Sequence, residues 1–187
     1  DLRFWAALNA PDNTTNFFTY GNETVFDRSK GKGIEYYRAR FVLSDIQLLL
    51  SRNITSTFSV AAGPAFQYYA FDSDENAGRL ISLTGINGLN GATLDKTKTY
   101  GGFQVLASLD NRNNQVLPSR GVNWQTRYTG YAGMGKYSNN FGRLSTDMSF
   151  YISFNKQARL VIANRLGAGI SFGNFEFLFF IWCEKGR

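Results

Sequence analysis

The chain has 187 residues, room for one domain with a sizeable core. It is 16% aromatic and only 18% charged, with 19 Gly and 3 Pro, a bias that suits long strands with glycine bends better than helices. A net charge of +6, spread along the chain without a Lys/Arg run, argues against nucleic acid as a partner. The absence of His, together with a single Cys (Cys183), removes the commonest general base and metal ligand and excludes an intrachain disulfide framework. No run of ~18 apolar residues is present, so no transmembrane helix is predicted, and alternating strands of a membrane barrel or of a soluble β-protein both fit the averages.

In chain order, Leu2 to Asn9 reads as a short strand, and Ala10 to Gly33 as a long polar loop. Ile34 to Leu50 is a long strand in which Tyr37, Ala39, Phe41 and Leu43 share one face, with Arg38 and Arg40 opposite. Beyond Ser44 and Asp45 the apolar set moves to Ile46, Leu48 and Leu50. A one-residue slip turns every side chain to the other face, so a β-bulge near Ser44 is predicted. After a turn at Ser51–Ile54, Phe58, Val60, Ala62, Pro64, Phe66 and Tyr68 form an apolar face. Pro64 lacks a ladder donor, which predicts an irregularity at Gly63-Pro64.

Asp72 to Thr97 is a long loop, and Phe103, Val105, Ala107 and Leu109 then line the next strand. Asp110 to Gly121, D-N-R-N-N-Q-V-L-P-S-R-G, is a polar turn with a φ-setting Pro118 and a φ-tolerant Gly121. Val122, Trp124, Thr126, Tyr128 and Ala132 follow on one face, against Asn123, Gln125, Arg127 and Thr129. Past a loop at Gly133 to Asn140, Leu144, Met148, Phe150, Ile152 and Phe154 oppose Arg143, Ser145, Asp147, Ser149 and Ser153. The last clear strand sets Leu160, Ile162, Leu166, Ala168, Ile170 and Phe172 against Arg159, Arg165, Gly167 and Gly169, and Gly173-Asn174 signals a hairpin. Several segments exceed the ~5–6 residues of a soluble strand. Short and long connections also tend to alternate, the asymmetry of outer-membrane barrels. The reading is an all-β, antiparallel transmembrane barrel whose polar faces line a hydrated interior. A soluble sandwich or barrel binding an apolar ligand is the alternative, with the same alternation turned inside out.

The chemistry-bearing motifs are weak. Gly130 to Lys136 matches a phosphate-binding loop except that Tyr137 stands where the Mg²⁺-binding hydroxyl belongs, and it leads to a strand, not a helix. Asp72, Asp74 and Glu75 lack the remaining ligands of a Ca²⁺ loop. No nucleophile–base pair is visible, so neither enzyme activity, metal nor cofactor is expected. Arg38, Arg40, Arg127, Arg143, Arg159 and Arg165 are candidates for a lumen-facing basic array, with scattered charges paired to Asp45, Asp110 and Asp147 as the equal alternative.

Several stretches resemble the C-terminal barrel of the Omp85 superfamily, the bacterial surface antigen or BamA/TamA-type group. D-N-R-N-N-Q-V-L-P-S-R-G resembles its D-x-R-[DN]-N-x-x-x-P-[ST]-x-G turn, which marks Asp110, Arg112, Asn114, Pro118 and Gly121 as structural signature residues. F-F-T-Y-G-N-E-T (Phe17 to Thr24), I-E-Y-Y-R-A-R-F (Ile34 to Phe41) and A-R-L-V-I-A-N-R-L-G-A-G (Ala158 to Gly169) resemble further segments in the family's order, closest to barrels of Bacteroidetes type. The resemblance implies a sixteen-stranded barrel in the Gram-negative outer membrane, contacting outer-membrane lipid including lipopolysaccharide and other outer-membrane or periplasmic proteins. The family's best-known members insert or translocate proteins. The roughly eight or nine strands here amount to half such a barrel, or to a smaller closed one. Residues 1–187 are read as a single barrel domain, a fragment without a POTRA or phosphoesterase domain. The inward-loop motif [VL]-R-G-[FY], expected after Phe177, is replaced by L-F-F-I-W-C-E-K-G-R. A passive pore or structural surface-antigen barrel is the second functional expectation.

Overall fold

The computed structural model describes residues 2–8, 12–17, 33–82, 91–155 and 160–174. Eight strands form one antiparallel sheet: β1 (Leu2–Leu8), β2 (Asp12–Asn16), β3 (Arg38–Asn53), β4 (Phe58–Ala70), β5 (Lys98–Asp110), β6 (Gly121–Gly133), β7 (Phe141–Ser153) and β8 (Val161–Gly173). From β3 to β8 each strand pairs with the next in sequence, a plain up-and-down meander. β1 and β2 lie end to end along the same edge of β3, in one unbroken register from Leu2↔Arg52 and Leu8↔Ile46 to Asp12↔Val42 and Asn16↔Arg38. The eight segments therefore occupy seven strand positions. Among the described residues β8 pairs with β7 alone, and the sheet is open. β3 has 16 residues and β4 to β8 have 13 each, above the ~9–11 needed to cross a bilayer on a tilt.

The sheet curls towards one face. Tyr131 on β6 donates its hydroxyl to Asp45 Oδ1 on β3 at 3.3 Å, reaching over β4 and β5. Three strand spacings in a flat sheet span roughly 14 Å, a gap these side chains bridge only if that face is concave. Parity then places Asp45, Gln47, Gln67, Gln104, Arg127, Arg143, Asp147 and Arg165 inside. Outside lie Ile46, Leu48, Leu50, Phe66, Phe103, Leu144, Ile152, Leu166, Ile170 and Phe172, all exposed.

Four expectations need correction. The bulge near Ser44 is absent: β3 keeps one register with β2 and β1 on one side and with β4 on the other. The apolar set changes sides because β3 meets two environments along its length. Inward, Ala39, Phe41 and Leu43 are buried in one apolar cluster with Phe17, Tyr69, Phe71, Ile81 and Leu94. Outward, the apolar stripe begins only at Val42. Arg38 and Arg40 are accordingly exposed on the convex face and do not face the lumen. The predicted loop from Ala10 contains β2, whose D-N-T-T-N sequence has no apolar alternation and which is strand only because β3 offers an edge. Ile34 to Tyr37, read as strand, belong to a 3-10 turn over Gly33–Tyr37 that is tied down by Phe17 N–H donating to Tyr37 O at 2.6 Å.

Gly63-Pro64 interrupts the ladder as expected. Pairing to β3 stops at Gln47↔Ala65 and resumes at Leu50↔Ala62 without a change of register. The β3 backbone comes so close that a Cβ on Gly63 would overlap the Leu48 carbonyl, so glycine is needed beside the proline. Connections at one end run over 54–57, 111–120 and 154–160, and at the other over 71–97 and 134–140, so the length asymmetry rests on 71–97.

Candidate functional site

Residues 111–120 close one end of the wall through their own side chains. Asp110 takes Arg112 in a fork: Arg112 Nε donates to Asp110 Oδ1 at 2.9 Å and Nη2 to Oδ2 at 2.7 Å, with the Arg112 backbone N–H on Oδ1 at 3.1 Å. The hydrogen bond to Asp110 raises the pKa of the Arg112 guanidinium, which stays charged. Asn113 Oδ1 accepts from the N–H groups of Ser119 and Arg120, both at 3.0 Å, and Asn114 Oδ1 from Val116 and Leu117 at 2.8 and 3.0 Å. Asn111 Oδ1 accepts from Val122 N–H at 2.6 Å. Three asparagines thus satisfy backbone donors that a regular ladder would satisfy. Gly121 has φ +109, and a Cβ there would sit 2.6 Å from Asn111 O and 2.7 Å from Arg112 Cα.

The concave face is crowded towards the opposite end. Tyr100 and Tyr131 meet Phe141 at 5.3 and 5.0 Å between ring centroids, and Ala65 packs with the two tyrosines. Beside them Gln47 Nε2 donates to Asp45 Oδ2 at 2.7 Å, and the Lys98 ammonium lies 5.4 Å from the Tyr69 ring centre. Lys98, Gln67, Gln104 and Asp45 are all at or below 2% exposure, burial that a polar side chain sustains only in a shared polar network or with water. Sequence reasoning set Asp45 down as a partner for scattered charge. The available signal was a lone carboxylate on the face that also carries Phe41, Leu43 and Leu49.

Of the six arginines proposed as an inner array, Arg127, Arg143 and Arg165 face inward, Arg38 and Arg40 outward, and Arg159 lies outside the described residues. Arg165 grips Asp147 through Nε at 3.0 and 2.9 Å and through Nη2 at 2.8 Å, an exposed pair across β7 and β8. The structure therefore joins one arginine to a carboxylate and divides four others between two faces. Cys183, the stretch from Phe18 to Thr24 and the C-terminal run of the chain also lie outside the described residues.

On the convex face, polar atoms bond to one another. Trp124 Nε1 donates to Thr146 Oγ1 at 2.8 Å, and the Thr126 and Thr146 hydroxyls lie 2.9 Å apart. A surface facing water has no need of this, whereas lipid supplies no partner of its own. Along the outward side of β3, Val42, Ile46, Leu48 and Leu50 run between Arg40 and Arg52. Nine residues at ~3.3 Å each, tilted ~45°, rise roughly 21 Å, close to the ~25 Å apolar band of a membrane barrel.

A curled up-and-down sheet with long strands, a polar inside and an apolar, self-satisfied outside is the wall of a transmembrane β-barrel. The Omp85 superfamily domain matches residues 8–180, and the chain belongs to that superfamily, as an outer-membrane protein. No curated protein matches it.

Proposed function

We propose that this wall belongs to a barrel that inserts or translocates other proteins at the Gram-negative outer membrane, without enzyme activity of its own. Membership of the Omp85 superfamily across 8–180 carries the reading. On the concave face Asp45, Lys98, Gln104 and Tyr131 are buried side chains, a packed wall that suits a barrel whose task is not bulk diffusion. The same burial favours a structural surface-antigen barrel as the second reading. The test is to reconstitute the full chain in lipid vesicles and follow the folding rate of an unfolded outer-membrane barrel added outside. A faster rate than in empty vesicles is expected. An unchanged rate, with no conductance in planar bilayers, leaves the structural reading in its place. Large steady conductance sinks both.

A further inference from the structure

The arginines that turned out to face outward form part of a site. A cleft of about 500 Å³ opens at the long-loop end of β3, lined by Thr14, Thr15, Asn16, Glu35, Arg38, Arg40 and Arg79. Three cations and one carboxylate meet there. The cleft is built by long-range contacts. Asn76, fully buried, places its side-chain amide against the β3 edge, accepting from Arg40 N–H at 2.9 Å and donating to Arg40 O at 2.8 Å, and it anchors the loop through Asp72 O at 2.7 Å. Arg79 follows on that loop, and its Nη1 donates to Glu35 O at 3.2 Å and Arg38 O at 3.0 Å. This fixes one guanidinium beside two whose side chains form no ion pair among the described residues. Arg38 and Arg40 stand on the outward face just beyond the apolar stripe that begins at Val42, the depth of the lipid headgroups. The longer loops of such barrels are extracellular, which sets this end in the outer leaflet.

We propose that this cleft binds a phosphate group carried by an outer-leaflet glycolipid. Guanidinium groups pair with phosphate oxygens through charge-assisted, often bidentate hydrogen bonds, and near lipid those bonds are poorly screened. Thr14 and Asn16 supply neutral donors to the same anion. Glu35 limits the site to one phosphate by repelling further negative charge. The inference rests on the outer-membrane placement reached above. It does not depend on whether the barrel inserts proteins.

The test uses the full chain folded in detergent micelles, titrated by native mass spectrometry with bis-phosphorylated lipid A, with phosphate-free lipid A and with inorganic phosphate. The phosphorylated lipid is expected to bind on the order of 100-fold tighter than the phosphate-free one, since two charge-assisted bonds distinguish them. The Arg38→Gln/Arg40→Gln double variant loses that preference, while Arg52→Gln, at the other end of the same stripe, keeps it. Glu35→Gln strengthens the preference, and this arm stands even if the double variant fails to fold. Equal binding of the two lipids, or a preference that survives in the folded double variant, overturns the proposal. Displacement of the lipid by an equal concentration of inorganic phosphate also overturns it, in favour of a free-phosphate site. A chain that stays monodisperse in detergent-free buffer refutes the membrane placement instead, whatever the lipid preference.

Discussion

The two ends of this wall are built by opposite means. At the 111–120 end most of the closure is local, with Asp110 N–H on Thr57 O at 2.8 Å as a long-range tie. Asp110 holds Arg112 two residues on, Asn114 caps Val116 and Leu117, and Asn113 reaches Ser119 and Arg120. At the other end the contacts span the chain: Asn76 is bound to Arg40, Arg79 to Glu35 and Arg38, Phe17 to Tyr37, and Ile81 and Leu94 are packed on Phe41 and Tyr69. Local closure tolerates little change in its own few residues. Distributed closure spreads its stability over many contacts and fails by releasing a loop.

The glycines at the two ends give the sharpest contrast. Gly121→Val adds a clash with the Asn111 carbonyl to an unfavourable φ, and is expected to cost about 3 kcal/mol. Gly33, at φ +57 with nothing among the described residues within 4 Å of a Cβ, pays only the left-handed penalty as Ala, about 1 kcal/mol. Urea titration of the folded protein in micelles measures both, and equal losses would erase the contrast. Next in size is Asn76→Ala, which removes a fully buried side chain and orphans the part-buried Arg40 N–H and C=O it holds. It is expected to cost about 2 kcal/mol, felt as faster proteolysis within 71–82 while the midpoint of global unfolding moves little. A large drop in the global midpoint would show that the loop end is as cooperative as the turn end.

Between the ends, the two faces divide in the same manner. Thr146→Val strands Trp124 Nε1 and the Thr126 hydroxyl in lipid, and about 1 kcal/mol of stability is expected to go with it. A variant as stable as the parent would mean those atoms reach water. Arg165→Gln removes an ion pair that is 64% and 43% exposed on its two sides, and no measurable shift in the unfolding midpoint is expected. A clear loss would mark β7 and β8 as a dry seam.

Legibility in the sequence followed the same divide. The turn was readable because Asn, Asp, Pro and Gly bond to their own neighbours, so spacing in sequence is spacing in space. Strands β4 to β8 were readable because period-two alternation is imposed by the pleat itself. β2 was not, since D-N-T-T-N carries no alternation and owes its conformation to the β3 edge. The cleft was not, because Arg79 and Asn76 lie about forty positions from the residues they hold.

The arginines show where sequence stops. Alternation alone determined that Arg38 and Arg40 share a face opposite Phe41 and Leu43, and that Arg127, Arg143 and Arg165 share the polar faces of their strands. It also determined a wall of strands long enough to cross a bilayer. Which face of β3 looks inward is set by the direction in which the sheet curls, and that is a property of all seven strand positions together. Only the tertiary structure carries that information. It kept β3 in one register, put a buried apolar cluster where a bulge was expected, and moved two basic residues from the lumen to the convex face.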